Sequence, residues 1–215
     1  MLKELYQFSG FIKSSSLLGV GFTFINILPL CFFQSNIGLA FLASIFLSLS
    51  TVFFSRSFVM GFGQLYIIFS MTLLLNLIIS EPPFGGILFF IVLVVSIALS
   101  DIGGYFGGRF IGGGKVLERI SPNKTWAGVI AGWMLVGFFC FSLFFIGVFE
   151  SHYYLFLFWG VSVSSQLGDF IESYTKRYFG VKDSSNIIPG HGGVLDRFDG
   201  LIFSVYFIKI VDFFI

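Results

Sequence analysis

The sequence predicts an all-α fold: a polytopic integral membrane helical bundle of about seven transmembrane helices, with residues 1–215 forming a single membrane domain. Three observations predict it. Of the residues, 56% are hydrophobic, 20% aromatic and only 11% charged, and the mean hydropathy is +0.97. Soluble globular chains carry about 25% charged residues, and 12 basic and 11 acidic side chains cannot cover a water-facing surface while 33 phenylalanines are hidden. Secondly, apolar runs recur from one end of the chain to the other, and they are continuous instead of alternating. Helices alone then satisfy the backbone in lipid, and a β-barrel is excluded. Thirdly, the basic residues fall on one side once the chain is threaded through those runs.

A crossing helix needs about 20 apolar residues. Seven runs meet or approach that length, at residues 15–33, 37–54, 58–79, 84–100, 127–149, 152–168 and 201–215, the last being short. The first follows Lys3 and Lys13 without a clear small-residue cleavage site and is read as a retained span. The third allows either one helix or two short ones. Threading places Lys3, Lys13, Arg56, Arg109, Lys115, Arg119, Lys124, Lys176, Arg177, Lys182 and Arg197 together, eleven of the twelve basic residues, with Lys209 inside the last span. By the positive-inside rule that side is cytoplasmic, with the amino terminus in. The cell (inner) membrane is the expected location. Cys31 and Cys140 lie in apolar runs as small hydrophobes, with no disulfide framework or metal spacing. The net charge of +1 points to no partner by itself, and no nucleic-acid partner is expected.

The amino-terminal spans occupy residues 1–100. The remainder, 101–215, holds two long polar connections, 101–126 and 169–200, both on the basic side. Long polar segments in an otherwise minimal membrane chain are where function concentrates. In the second, a sixth helix continued past the membrane puts Asp169, Glu172, Ser173 and Lys176 at about 0°, 300°, 40° and 340°, on one face. Pro189-Gly190-His191-Gly192-Gly193 ends that helix, and a new one starts near Val194 with Asp196 and Asp199 three residues apart. Carboxylates from two helices suit a hard divalent cation such as Mg2+, which keeps positions open for phosphate oxygens. Lys176, Arg177, Lys182 and Arg197 supply complementary cations, and close glycines let backbone amides approach an anion. The bland alternative is a set of interface charges that only fix topology. His191 fits a phosphate donor, a general base or a turn histidine packed on a carboxylate.

In the first connection, Ser121 reads as an N-cap with Pro122 at the first helical position of the fifth span, which puts Lys124 on its first turn. Gly103 with Gly107, and Gly104 with Gly108, have the four-residue spacing of closely packed helices. Gly112-Gly113-Gly114-Lys115 is not a P-loop, because the first glycine is misplaced and Val116 stands where a hydroxyl binds the metal.

Ser173-Tyr174-Thr175-Lys176-Arg177, Lys182-Asp183, Pro189-Gly190-His191-Gly192-Gly193 and Asp196-Arg197-Phe198-Asp199 resemble the signature of the phosphatidate cytidylyltransferases, also called CDP-diacylglycerol synthases. The stretches Ser100-Asp101 to Arg109 and Ser121-Pro122 to Gly128 are similar to the family's other conserved region. Thr175 and Gly200 depart from the usual pattern without touching a charged position. The resemblance implies transfer of the cytidylyl group of CTP to phosphatidic acid in the bilayer. It implies Asp169, Asp196, Lys176 and Arg197 as catalytic residues, and Mg2+ on Asp169, Asp196, Asp199 and Glu172. A second, monovalent cation such as K+ and a homodimer are further features of the family. Substrate binding would fall to Asp101, Ser121, Lys124, Thr125, Ser173, Arg177, Lys182, Asp183, His191, Gly192 and Gly193. A CTP-dependent transferase acting on an ether lipid or a polyprenol, and a cation transporter, are the alternative readings.

Overall fold

The computed structural model describes residues 58–79, 85–118, 120–178, 180 and 195–214, with single helical positions at Leu39, Leu42, Ile45, Phe46 and Leu49. Of residues 58–65, 67, 68, 122 and 195–197 only the backbone is described. Along these residues run α1 (Phe58–Ile79), α2 (Gly86–Phe110), β1 (Lys115–Leu117), β2 (Ser121–Thr125), α3 (Trp126–Phe145), α4 (His152–Tyr178) and α5 (Leu195–Phe214). The predicted crossing at 15–33 lies outside the described residues, as does 37–54 apart from those single positions.

Two compact units divide the chain. One comprises Met1–Asn76 with Val181–Arg197, and the other Leu77–Gly180 with Phe198–Ile215. In the first unit, α1 is continuous up to its end in the second, so the third predicted crossing is one helix. The cleft described below is lined entirely by residues of the second unit.

There, α2 and α3 are long and apolar enough to cross a membrane. They also approach unusually closely. A Cβ on Gly103 would lie 2.7 Å from the Gly132 Cα, and one on Gly128 would lie 2.5 Å from the Gly104 carbonyl oxygen. This is the close packing expected from the glycine spacing, and it explains why four glycines do not end α2: helix–helix contact compensates for their low propensity. As a result α2 runs ten residues past the predicted limit of the fourth crossing at Ser100, and Asp101 is helical instead of belonging to a loop. The core is filled by Val92, Leu93, Val136, Phe158 and Val161, with Phe149 stacked on Phe158 at 5.5 Å. Facing outward, Ile87, Met134, Phe138 and Phe145 are more than 70% exposed. So many bare apolar side chains suit contact with lipid.

Between α4 and α5, Gly160 and Gly168 accept the rings of Phe207 and Phe203. Ser164 Oγ donates to the Phe203 carbonyl at 2.9 Å across the same seam. The helix α5 begins at Leu195, one residue from the predicted start, and α4 continues to Tyr178, carrying the polar stripe beyond the apolar run as expected.

The all-α expectation needs one correction. After Phe110, Gly112 and Gly113 take φ of 67° and 96°, turning the chain into a short antiparallel hairpin that pairs Lys115 with Thr125 and Leu117 with Ser121. Ser121 is therefore a strand residue and not an N-cap, and Lys124 stands on β2 instead of on a helical first turn. The cap of α3 is Thr125, whose extended backbone (φ −114°, ψ 155°) lets Oγ1 accept from the Gly128 N–H at 3.2 Å. Trp126 N–H donates to the Gly114 carbonyl at 3.0 Å, fastening the hairpin to the start of α3. A proline preceded by serine fits an exposed strand edge as well as a helix start, which is why the sequence alone misplaces the cap.

Candidate active site

The elements of the second unit alternate in direction. The carboxyl-terminal parts of α2 and α4, the hairpin and the start of α3 consequently gather at one end. At that end a cleft of about 330 Å³ opens between α2, β2, α3 and α4, and Asp101, Lys124, Thr125 and Asp169 all line it. Two segments that lie 45 residues apart in the chain meet directly here, because the Lys124 ammonium donates to Asp169 Oδ2. Lys124 also stands 4.4 Å over the Phe170 ring. A carboxylate on one side and an aromatic face on the other hold the ammonium in place, with 29% of the side chain still exposed. It is a preoriented cation at the mouth of a pocket.

Behind it, the polar stripe of α4 has the predicted geometry. Ser173 Oγ donates to Asp169 Oδ1 at 3.4 Å, and Lys176 Nζ lies 3.6 Å from Glu172 Oε1, one turn away. From α5, Asp199 joins this stripe. Burial pushes its carboxyl up from the ordinary 3.8; a hydrogen bond with Glu172 draws it down, and the nearby negative charge of Asp169 raises it again. The Gly200 N–H donates to Asp199 Oδ1 at 2.6 Å. Three carboxyls from two helices make an acidic centre in which further negative charge is disfavoured.

That acidity bears on whether a divalent cation fits. The cleft lining itself carries two carboxylates, Asp101 and Asp169, against the single ammonium of Lys124. A polyphosphate entering it would meet net negative charge unless a bound cation intervened, and oxygen donors are the ligands that hard cations take. The donor chemistry therefore fits Mg2+. Among the described residues, no three acidic, histidine or cysteine side chains meet at one coordination point. The carboxylate of Asp196 lies outside them, with only its backbone placed at the start of α5.

The other predicted residues divide cleanly. Thr125 lines the cleft while also capping α3; Ser121 begins β2 and is not in the lining. Arg177 sits in the last turn of α4 and is exposed. The Arg197 side chain is not described, and Lys182, Asp183, His191, Gly192 and Gly193 lie outside the described residues. Asn123, Gln166 and Phe170 are among the cleft residues that the sequence did not single out. Gln166 had a usable signal, being a carboxamide inside an apolar run one turn before Asp169, where an uncharged polar group needs a partner.

The sequence model of the cytidylyltransferase family matches residues 2–214. A phosphatidate cytidylyltransferase of Brucella suis biovar 1 (strain 1330) is 44% identical over 152 residues, covering 65% of this chain and 52% of its own length. The phosphatidate cytidylyltransferase of Rickettsia bellii (strain RML369-C) is 42% identical over 150 residues, covering 61% and 65% respectively. That of Bacillus subtilis (strain 168) is 40% identical over 126 residues, covering 57% and 46%. The chain thus spans about half the length of the Brucella and Bacillus relatives and 65% of the Rickettsia one.

Proposed function

Because the chain belongs to the cytidylyltransferase family, we propose that it transfers the cytidylyl group of CTP to phosphatidic acid, releasing pyrophosphate and forming CDP-diacylglycerol. The observation that carries this reading is the meeting of Lys124 with Asp169 in a cleft that Asp101 and Thr125 also line. One segment supplies the cation and the other the acid that a nucleotide phosphate chain needs. The relatives' names favour phosphatidic acid over an ether lipid or a polyprenol as the acceptor.

In this reaction an oxygen of the lipid phosphate forms a bond to the α-phosphorus of CTP, and the bond from that phosphorus to the oxygen bridging it to the β-phosphorus breaks, so that this oxygen leaves with pyrophosphate. The attacking oxygen is already ionised at neutral pH, so the protein needs no strong general base. Its work is charge neutralisation and in-line placement. Lys124, held between Asp169 and Phe170, exchanges its carboxylate partner for phosphate oxygens. Thr125 keeps the amino end of α3 fixed beneath them. Lys176, Arg177, Lys182 and Arg197 hold the remaining negative charge, with Ser121, Ser173, Asp183, His191, Gly192 and Gly193 as further contacts.

Asp169, Asp196, Asp199 and Glu172 would hold Mg2+, which when bound would supply charge neutralisation at the phosphorus under attack. A second, monovalent cation such as K+ and a homodimer belong to the same proposal. So does the setting, a multi-pass protein of about seven crossings in the cell (inner) membrane, with amino terminus and cleft facing the cytoplasm.

The test combines purified protein, labelled CTP and phosphatidic acid, with and without Mg2+. CDP-diacylglycerol is expected only with all three. Asp169→Asn is expected to abolish turnover while the protein still inserts into the membrane and extracts normally. Near wild-type activity of that variant would overturn the metal assignment, and the absence of any CDP-lipid from wild-type protein would overturn the reaction.

A further inference from the structure

Beneath the cleft, three helices converge on one hydroxyl. Ser100 Oγ, fully buried on α2, accepts from Ser162 Oγ and from Gln166 Nε2, both at 3.0 Å and both on α4. The third helix closes the same point. A Cβ on Gly132 of α3 would lie 2.6 Å from the Ser100 carbonyl oxygen and 2.7 Å from Gln166 Nε2. Only a glycine leaves room for the carboxamide there. Ser162 and Gln166 are one turn apart, so α4 grips Ser100 at two successive levels, and slippage along the helix axis breaks both hydrogen bonds together.

The chain carries this grip into the cleft. Asp101 directly follows Ser100, and Asp169 lies three residues beyond Gln166, while Gln166 itself lines the pocket. Ser100 and Ser162 are fully buried, which strengthens these hydrogen bonds, and they define a preferred helix register. The geometry points to Gln166 as a positioning residue: through Ser100 it fixes the axial register of α2 against α4, and thereby the separation of the Asp101 and Asp169 carboxylates. This rests on the proposed cytidylyl transfer for its kinetic consequence, whereas the register itself is a property of the fold. The Gln166 carboxamide oxygen is buried without a hydrogen-bond partner among the described residues. Direct contact with substrate is therefore the rival role.

Kinetics separate the two roles. Gln166→Leu keeps much of the volume and removes the donor. Its kcat is expected to fall about tenfold or more, since misplacement of reacting groups lowers turnover steeply, with the KM for CTP changed by less than about threefold. In a cycle with Ser100→Ala, which removes the acceptor of both donors, the double variant is expected to match Ser100→Ala alone, because the Gln166–Ser100 hydrogen bond is already lost there. A kcat within about twofold of wild type, or a raised KM with kcat kept, overturns the proposal. If Gln166→Leu fails to accumulate in the membrane, Gln166→Asn, too short to reach Ser100, is read in the same way. A second measurement does not depend on activity. Spin labels at the exposed positions Ile102 on α2 and Leu167 on α4 are expected to give one narrow distance distribution in the wild-type background and a broadened or shifted one with Gln166→Leu. An unchanged distribution overturns the clamp, even if the protein makes no CDP-lipid at all.

Discussion

Asp199 shows how a single carboxyl records its surroundings. Burial, the chief cause, and the charge of Asp169 together raise it above the ordinary 3.8, against the lowering effects of Glu172, Gly200 and Lys176. The sign of the resulting pH dependence follows. Between 3.8 and the raised value the native protein retains a proton that the unfolded chain has released. Stability therefore falls as pH rises across that window and is level beyond it. In chelator-treated protein, the midpoint of thermal unfolding is expected to decline over this window more in wild type than in Asp199→Asn, whose neutral amide has nothing to ionise. Parallel pH profiles for the two would contradict the burial of Asp199 beside Glu172 and Asp169. At this scale the sequence was informative about residue type and face: the 100° spacing correctly aligned Asp169 with Ser173 and Glu172 with Lys176. It could not tell that Lys124, rather than a residue of the second segment, would pair with Asp169, because a contact across 45 residues depends on helix packing.

At the level of elements, the apolar runs predicted helices well because continuous burial in lipid or core demands them. They located α1 and the starts of α3 and α4 to within a residue, whereas the seventh run begins six residues inside α5, whose start near Val194 came from the break at residues 189–193. The hairpin was illegible, since its positive-φ glycines and its Ser121-Pro122 step have the same composition as an ordinary loop leading into a capped helix. The α2–α3 contact allows a sharp comparison. An Ala Cβ at position 128 would lie 2.5 Å from the Gly104 carbonyl oxygen and 3.2 Å from the Gly108 nitrogen, and backbone atoms cannot rotate aside. At position 104, in contrast, the nearest atom is the Gly128 carbonyl oxygen at 3.9 Å, an ordinary contact. Gly128→Ala is accordingly expected to lower stability by about 1–3 kcal/mol, the usual cost of overpacking. Gly104→Ala is expected to be neutral or stabilising by up to about 1 kcal/mol, through helix propensity. Unfolding in detergent measures both. Equal losses would mean that the helices do not meet with this asymmetry.

Across the whole molecule, the distribution of charge and the direction of the helices bear on one another. Threading the chain through alternating crossings collected eleven of twelve basic residues on one side. Within the second unit, the alternating helices put Asp101, Lys124 and Asp169 at one end, while Tyr153 donates to Asp212 at the other, 3.0 Å away. Lys209, the basic residue that threading left inside a span, lies near that second end, 3.4 Å from Asp212. Its charge is matched locally, and one lysine at that end leaves the bias of the other eleven basic residues in place. The proposed topology then makes opposite predictions for two exposed positions, Lys115 on the hairpin and Ser151 in the short connection between α3 and α4. With Cys31 and Cys140 replaced by serine, single cysteines are placed at 115 or 151 in sealed vesicles whose cytoplasmic face is inward. A membrane-impermeant maleimide is expected to label Ser151→Cys at once, and Lys115→Cys only after detergent is added. The reverse pattern would put the cleft on the outer face, away from nucleotide. Labelling of both positions without detergent would mean that α3 does not cross the bilayer.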